Sequence, residues 1–295
     1  MTSAKTETAE HAAGTSDRAP LRLGRFGVWA TSQTASPELA IAAERLGYGA
    51  IWLGSARGDL RLAEKLLEAT NTLTVATGIV NIWAFPALPV ADAWHRVEQA
   101  HPGRLLLGVG VGHREVHGST YTRPYQALTE YLDTLDTAGV PASRRVLGAL
   151  GPKVLQLSAQ RGAGAHPYLV TPEYTRWARG ILGDAPLLAP EQKVVLDPDQ
   201  DRGRARARQP VLLHLSLANY LANLRRLGYT DTDLTAPGSD RLVDDLIPHG
   251  TADEVAAKLR AHLQAGADHV AVQLLTEGDA DPRPGLTTLA ERLFN

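Results

Sequence analysis

Eight short apolar and β-branched runs recur along the chain, most of them followed by a stretch of helical period. This alternation limits the possible folds more than any other feature. The runs are Leu23–Ala30, Gly49–Gly54, Thr72–Val80, Arg104–Gly110, Arg145–Leu150, Ala165–Val170, Gln192–Asp197 and Asp268–Leu275. Apolar runs without polar alternation fit strands covered on both faces of a parallel sheet. Parallel strands need long crossovers, and the amphipathic stretches supply them. Ser36-Pro37-Glu38 opens the first helix by cap chemistry and Gly47 closes it. Pro152 and Pro172 stand where a helix begins and a missing N–H does no harm. Thr251, followed by Asp253 and Glu254, starts another helix that ends at Gly266. Eight βα units in roughly 250 residues is the size of an α/β (β/α)8 TIM barrel. A doubly wound sheet is the second choice, because eight parallel strands there rarely lack an antiparallel edge. The span from Asp197 to Ala267 is too long for one crossover. Gly203–Gly228 and Asp240–Ile247 within it read as a helical insertion after strand 7.

Residues 1–20 are small, polar and charged without an apolar segment, which predicts a flexible tail ahead of a single domain over 21–295. No run approaches the roughly 18 apolar residues of a membrane span, so a soluble cytoplasmic protein is expected. The 32 acidic and 30 basic side chains leave a formal charge of −2, which argues against nucleic acid or a membrane surface as partner. With no cysteine, disulfides, thiolate metal sites and cysteine nucleophiles are excluded. The arginines from Arg202 to Arg208 follow Asp197, Asp199 and Asp201, and read as a solvated helix start.

The chemistry-bearing candidates lie at strand ends. Gly108-Val109-Gly110-Val111-Gly112-His113 fails the dinucleotide fingerprint, because His113 stands where the third glycine belongs. Its glycines leave the backbone open either to a flat ligand or to close packing inside a barrel. His113 and His117 are four apart, but Arg114 takes the place of the glutamate in the zinc-protease motif, and no metal site is expected. His113 is better placed as an acid/base or hydrogen-bonding group. Gly78 within a buried run points to a bulge, with Asn81 and Trp83 beyond it serving a ligand or the core. Thr171 before Pro172 reads equally as a helix cap and as part of a phosphate site. Gly-x-Ser-x-Gly and P-loop motifs are absent, and among the strand ends only Asp197 is acidic. Chemistry carried by a bound flat cofactor needs no carboxylate cage.

These pieces resemble the luciferase-like monooxygenase superfamily, and within it the F420-dependent oxidoreductases. The resemblance rests on Gly27-Val28-Trp29, Leu46 through Gly54, Val75 through Trp83 and Arg104 through His113. Leu150-Gly151-Pro152-Lys153, Ala165 through Pro172 and Ala265 through Val270 continue it in order. It implies a barrel with an F420 ring, or alternatively FMN, at the C-terminal mouth, and hydride transfer with a small organic substrate. A non-prolyl cis peptide at Gly78–Ile79 would back the ring. The residues it places around the cofactor are Trp29, Ser55, Gly78, Ile79, Asn81, Gly110, Val111, Gly112, His166 and Thr171, with His113 as the proton donor or acceptor. Members often form homodimers. The chain departs from the family where Gly54-Ser55-Ala56 replaces an acid or histidine after the second strand, where His113 replaces a carboxylate, and where Ala163-Gly164 replaces Asp-Gly. A barrel that binds a ligand without catalysis is the alternative from another class.

Overall fold

The computed structural model describes residues 21–278 and 280–294. The tail expected over residues 1–20 lies outside the described residues. Ten parallel strands form one sheet: β1 (Phe26–Thr31), β2 (Ala50–Ala56), β3 (Thr74–Asn81), β4 (Leu105–Gly110), β5 (Arg145–Leu147), β6 (Gly164–Ala165), β7 (Leu187–Leu188), β8 (Glu191–Leu196), β9 (His249–Gly250) and β10 (Val270–Leu274). β1 to β6 pair in sequence order, β6 pairs with β7, β1 with β10, and β10 with β8. Only Ala189-Pro190 separates β7 from β8, and the hydrogen bonds Ala189 N–Ala165 O (2.9 Å) and Glu191 N–Pro167 O (2.8 Å) bridge the gap. β7 and β8 therefore act as one kinked strand, with β6 on one side and β10 on the other. That closes the predicted eight-stranded barrel.

The helices cover the outside: α1 (Pro37–Arg45), α2 (Arg61–Glu68), α3 (Ala87–Ala100), the short α4 (Arg114–His117), α5 (Pro124–Thr137), α6 (Pro152–Arg161) and α7 (Pro172–Leu182). The expected insertion is present as α8 (Gln200–His214), α9 (Ala218–Arg226), α10 (Asp231–Leu234) and α11 (Asp240–Leu246), before α12 (Ala252–Gln264) and α13 (Arg283–Leu293). The caps are those the sequence indicates: Ser36, Thr171 and Thr251 each accept a backbone N–H at their helix starts. No helix among the described residues is long and apolar enough to cross a membrane.

Three strand details differ from the sequence reading. The sixth run forms a ladder only over Gly164–Ala165, because Pro167 has no N–H to give and Leu169 takes a left-handed φ of +51°. Neither β7 nor β9 is foreshadowed by an apolar run. β7 forms because its two residues fall beside the equally short β6, and β9 because its two fall beside the longer β8. The arginine run is also not simply solvated. Arg202 pairs with Asp197 (2.6 Å), Arg204 with Asp244 (2.7 Å) and Arg208 with Asp240, and the last three arginines are only 22–25% exposed. It fastens α8 to α11 and to the end of β8.

The barrel interior is unusual for its aromatic and polar content. Trp29 and Trp52 lie among Ala50, Ala76, Leu106, Val146, Ala189 and Ala271. His166, Glu191, Lys193 and His269 are buried too, at 3% exposure or less. Trp52 Nε1 donates to His269 Nε2 at 2.9 Å, while His269 Nδ1 meets Gly24 O at 2.8 Å. The carbonyl can only accept, so His269 carries its proton on Nδ1 and both ring nitrogens are satisfied.

Candidate active site

The end of β3 breaks register. Ala76 pairs with Leu106 and Val80 with Val109, so four steps on β3 face three on β4. This is the bulge that Gly78 foretold. The Gly78–Ile79 peptide is cis, as the resemblance implied. Thr77 spans the irregularity: its Oγ1 donates to Gly108 O at 2.8 Å and accepts from Gly108 N at 2.7 Å. Gly108 is needed there, because an added Cβ would stand 1.8 Å from Thr77 O.

Gly78, Ile79 and Asn81 emerge half-exposed at the C-terminal rim, and Val111, Gly112 and His113 follow β4 beside them. The Ile79 side chain rests over the glycines of the next strands, 3.3 Å from where a Cβ on Gly110 or Gly148 would lie. Trp29 and His166 meet beneath Gly78, whose Cβ would come within 3.0 Å of Trp29 Nε1 and 2.8 Å of His166 Nε2. Neither nitrogen has a partner among the described residues. Ser55 is exposed at the end of β2, with φ +52°. Asn81 is engaged: its Oδ1 accepts from Trp83 N at 2.9 Å, and its Nδ2 donates to His117 Nε2 at 2.9 Å. Trp83 Nε1 donates to Val111 O at 2.8 Å, so both residues tie the end of β3 to the segment after β4.

His113 is half-buried, with its ring 5.6 Å from Tyr220. Burial lowers its pKa, against smaller opposing contributions from the Asn219 side chain and Glu115. Its Nδ1 is buried without a partner. Thr171 is 1% exposed and spends its hydroxyl on the α7 cap. The open helix start on this rim is instead that of α6. Its N-cap Gly151 makes no side-chain cap bond, and a Cβ there would meet nothing within 4 Å.

Five rings run across the mouth from the barrel wall to the insertion. The centroid separations are 5.3 Å for Trp29–Tyr168, 5.7 Å for Tyr168–His214, 4.6 Å for His214–Tyr220 and 5.6 Å for Tyr220–His113. Burial holds His214 neutral, with its pKa lowered to about 4. Below them Lys193 Nζ sits 3.6 Å from the Tyr168 ring centroid and 3.1 Å from Glu191 Oε1. Sequence reasoning missed Tyr168, Lys193, Glu191, His214 and Tyr220 as a group. The one available signal was the pair of charges two apart at the head of an apolar run, which places both on the same face of a strand. No group of three or more metal-ligating side chains occurs among the described residues.

The family model described as luciferase-like monooxygenase matches residues 25–139, which span β1 through α5. A 115-residue stretch is 33% identical to the uncharacterized protein YceB of Bacillus subtilis (strain 168). It covers 36% of this chain and 33% of that relative, so the chain spans about a third of the curated protein it matches. Among solved structures, an F420-dependent secondary alcohol dehydrogenase with an F420-acetone adduct superposes with a TM-score of 0.72 at 15% identity, over 92% of this chain and 99% of that one. The coenzyme F420-dependent tetrahydromethanopterin reductase of Methanopyrus kandleri gives 0.66 at 15%, over 93% and 99%. The oxygenating constituent of 3,6-diketocamphane monooxygenase, from a Pseudomonas putida plasmid and in complex with FMN, gives 0.68 at 13%, over 90% and 96%. The fold is thus that of the luciferase-like TIM-barrel enzymes, whose solved examples include F420-dependent enzymes and flavin monooxygenases.

Proposed function

We propose that this protein is a luciferase-like oxidoreductase that uses F420 to transfer a hydride to or from a small organic substrate. One observation carries the reading: the half-exposed Gly78–Ile79 bulge lies at the barrel's C-terminal rim, within the stretch that matches the family. The residues present fit a flat ring. Ile79, Val111 and Gly148 make a half-exposed apolar ledge, with Ile79 packed over Gly110 and Gly148, and Gly151 leaves open space at the start of α6. Ile79, Val111 and Gly112 would hold the ring, with Trp29 and His166 backing Gly78. The start of α6 at Gly151, with its uncapped N–H groups, would take an anionic tail.

When bound, such a ring supplies the hydride chemistry. The protein supplies position, a dry floor and a proton. Trp29, Tyr168, His214 and Tyr220 exclude water from the barrel side. His113 is neutral at pH 7 because burial holds its pKa below the ordinary 6.5, and its unpartnered Nδ1 is where a proton would be held. The FMN-bound neighbour supports a second reading, an FMN-dependent monooxygenase using the same ledge. A homodimer belongs to the proposal through the family resemblance of the sequence alone.

Titration of the protein with F420 and FMN side by side, followed by fluorescence, tests the reading. Binding of F420 at micromolar protein supports it, preference for FMN selects the second reading, and binding of neither sinks both. A His113→Ala variant that keeps binding and full turnover would move the chemistry to another group. Sedimentation equilibrium reads the oligomeric state.

A further inference from the structure

Lys193 and Glu191 are fully buried charges without a task in the reading above. A buried ion pair adds little stability over a well-packed apolar pair, so packing alone gives no reason for one at this place. The two residues are two apart on β8 and share its inner face, with Lys193 nearer the C-terminal end. Its register partner is Gln273, whose Oε1 accepts from the Tyr168 hydroxyl at 3.3 Å. Glu191 lies deeper, where its Oε2 accepts from Leu169 N at 3.0 Å. The ammonium is 3.6 Å from the Tyr168 ring centroid and 5.9 Å from that of Trp29. The other titratable side chains near it, His166, His214 and Tyr168, are held neutral by burial and do not cancel its charge. Burial pushes the Lys193 pKa down and the Glu191 pKa up, the contact between them opposes both shifts, and the nitrogen end of the pair lies against the Tyr168 ring.

We propose that Lys193 makes this mouth selective for anions, so that a ring held on Ile79, Val111 and Gly112 is bound more tightly in an anionic than in a neutral state. The inference rests on the proposed function for what lies there. Two-electron reduction of FMN turns a neutral ring into an anionic one near neutral pH, so reduced FMN gains from Lys193 more than oxidised FMN, whereas the ionised phenol of F420 makes its oxidised ring an anion already. Lys193 is then a positioning and specificity residue that acts through space and leaves the proton chemistry to other groups.

The test compares the affinities of oxidised and reduced FMN, and of oxidised and reduced F420, for the full-length protein and for Lys193→Met. The expected result is a three- to tenfold loss of the preference for reduced over oxidised FMN, and a loss of affinity of the same size for F420 in both states. For the two-electron FMN couple the first lowers the bound potential by about 14 to 30 mV. Met leaves Glu191 without its partner, so Lys193→Met/Glu191→Gln is measured in parallel. It keeps an acceptor for Leu169 N, should shift the preference equally, and carries the test if the single variant does not fold. An unchanged FMN ratio together with an unchanged F420 affinity in a folded variant overturns the inference while leaving the functional reading intact. A parent protein that binds neither cofactor overturns the reading and this inference with it.

Discussion

The imidazole of His166 lies face to face with the indole of Trp52, ring centroids 4.1 Å apart and planes 13° from parallel. Its Nδ1 meets Ala189 O at 2.7 Å and must be the donor, which leaves a lone pair on Nε2 facing Gly78. Trp52, His166, Gly78 and Trp29 thus form one packed column from the barrel interior to the rim.

Gly78→Ala tests how rigid that column is. The new methyl would stand 2.8 Å from His166 Nε2, and the buried imidazole is held by its stack on Trp52 and its bond to Ala189 O. A loss of about 1–3 kcal/mol is expected, measured by urea unfolding. A variant as stable as the parent would show that the rings give way.

Thr77→Val should be nearly as damaging, although it keeps shape and volume. The hydroxyl both gives to and takes from Gly108 across the bulge, and without it two buried backbone groups lose that partner. About 1–3 kcal/mol is expected. Thr77→Ser should recover most of it, and thermal unfolding of the two variants side by side is the check.

Acid should unfold the protein well above the carboxylate range. Burial lowers the pKa of His166 and His262 to about 3 and of His214 and His269 to about 4. In the unfolded chain these side chains bind protons near pH 6.5. Between those limits the unfolded state holds more protons, so stability rises with pH there and is lost as pH falls below about 6.5. Each histidine contributes roughly 1.4 kcal/mol per pH unit inside its window. Denaturant midpoints that stay flat from pH 7 to pH 4.5 would contradict this.

His113→Phe keeps the ring that packs near Tyr220 and removes both nitrogens. With cofactor bound, turnover should fall by roughly two to four orders of magnitude if the proton passes through this side chain. Cofactor affinity should change only a few-fold. A fall in affinity with unchanged turnover would assign His113 to binding.

Much of the fold was legible because its signals are local. Strand runs, cap residues at Ser36, Thr171 and Thr251, and the glycine inside the third run each state their role within a few residues. The bulge at Gly78 was readable for that reason, and so was the glycine-rich approach of β4. Asn81 and Trp83 were ambiguous between ligand and core. Their hydrogen bonds go to His117 and Val111, some thirty residues away, and no local pattern encodes that. Thr171 was readable as a cap, but its burial could be seen only once α7 had docked.

By itself the sequence determined the barrel class, the helical insertion after its seventh strand, the break in β3 and the exclusion of cysteine chemistry. These follow from periodicity and from backbone conformations that glycine and proline alone permit or forbid. Tertiary structure alone decided how β7 and β8 join to close the ring, and that Arg204 and Arg208 fasten α8 to α11 while Arg202, at the helix start, stays largely in solvent. It also decided that Lys193 and Glu191 turn inward beneath the aromatic chain. Those outcomes depend on which distant residues arrive at the same place, and a buried charge and an exposed one look alike until the fold has removed the water around one of them.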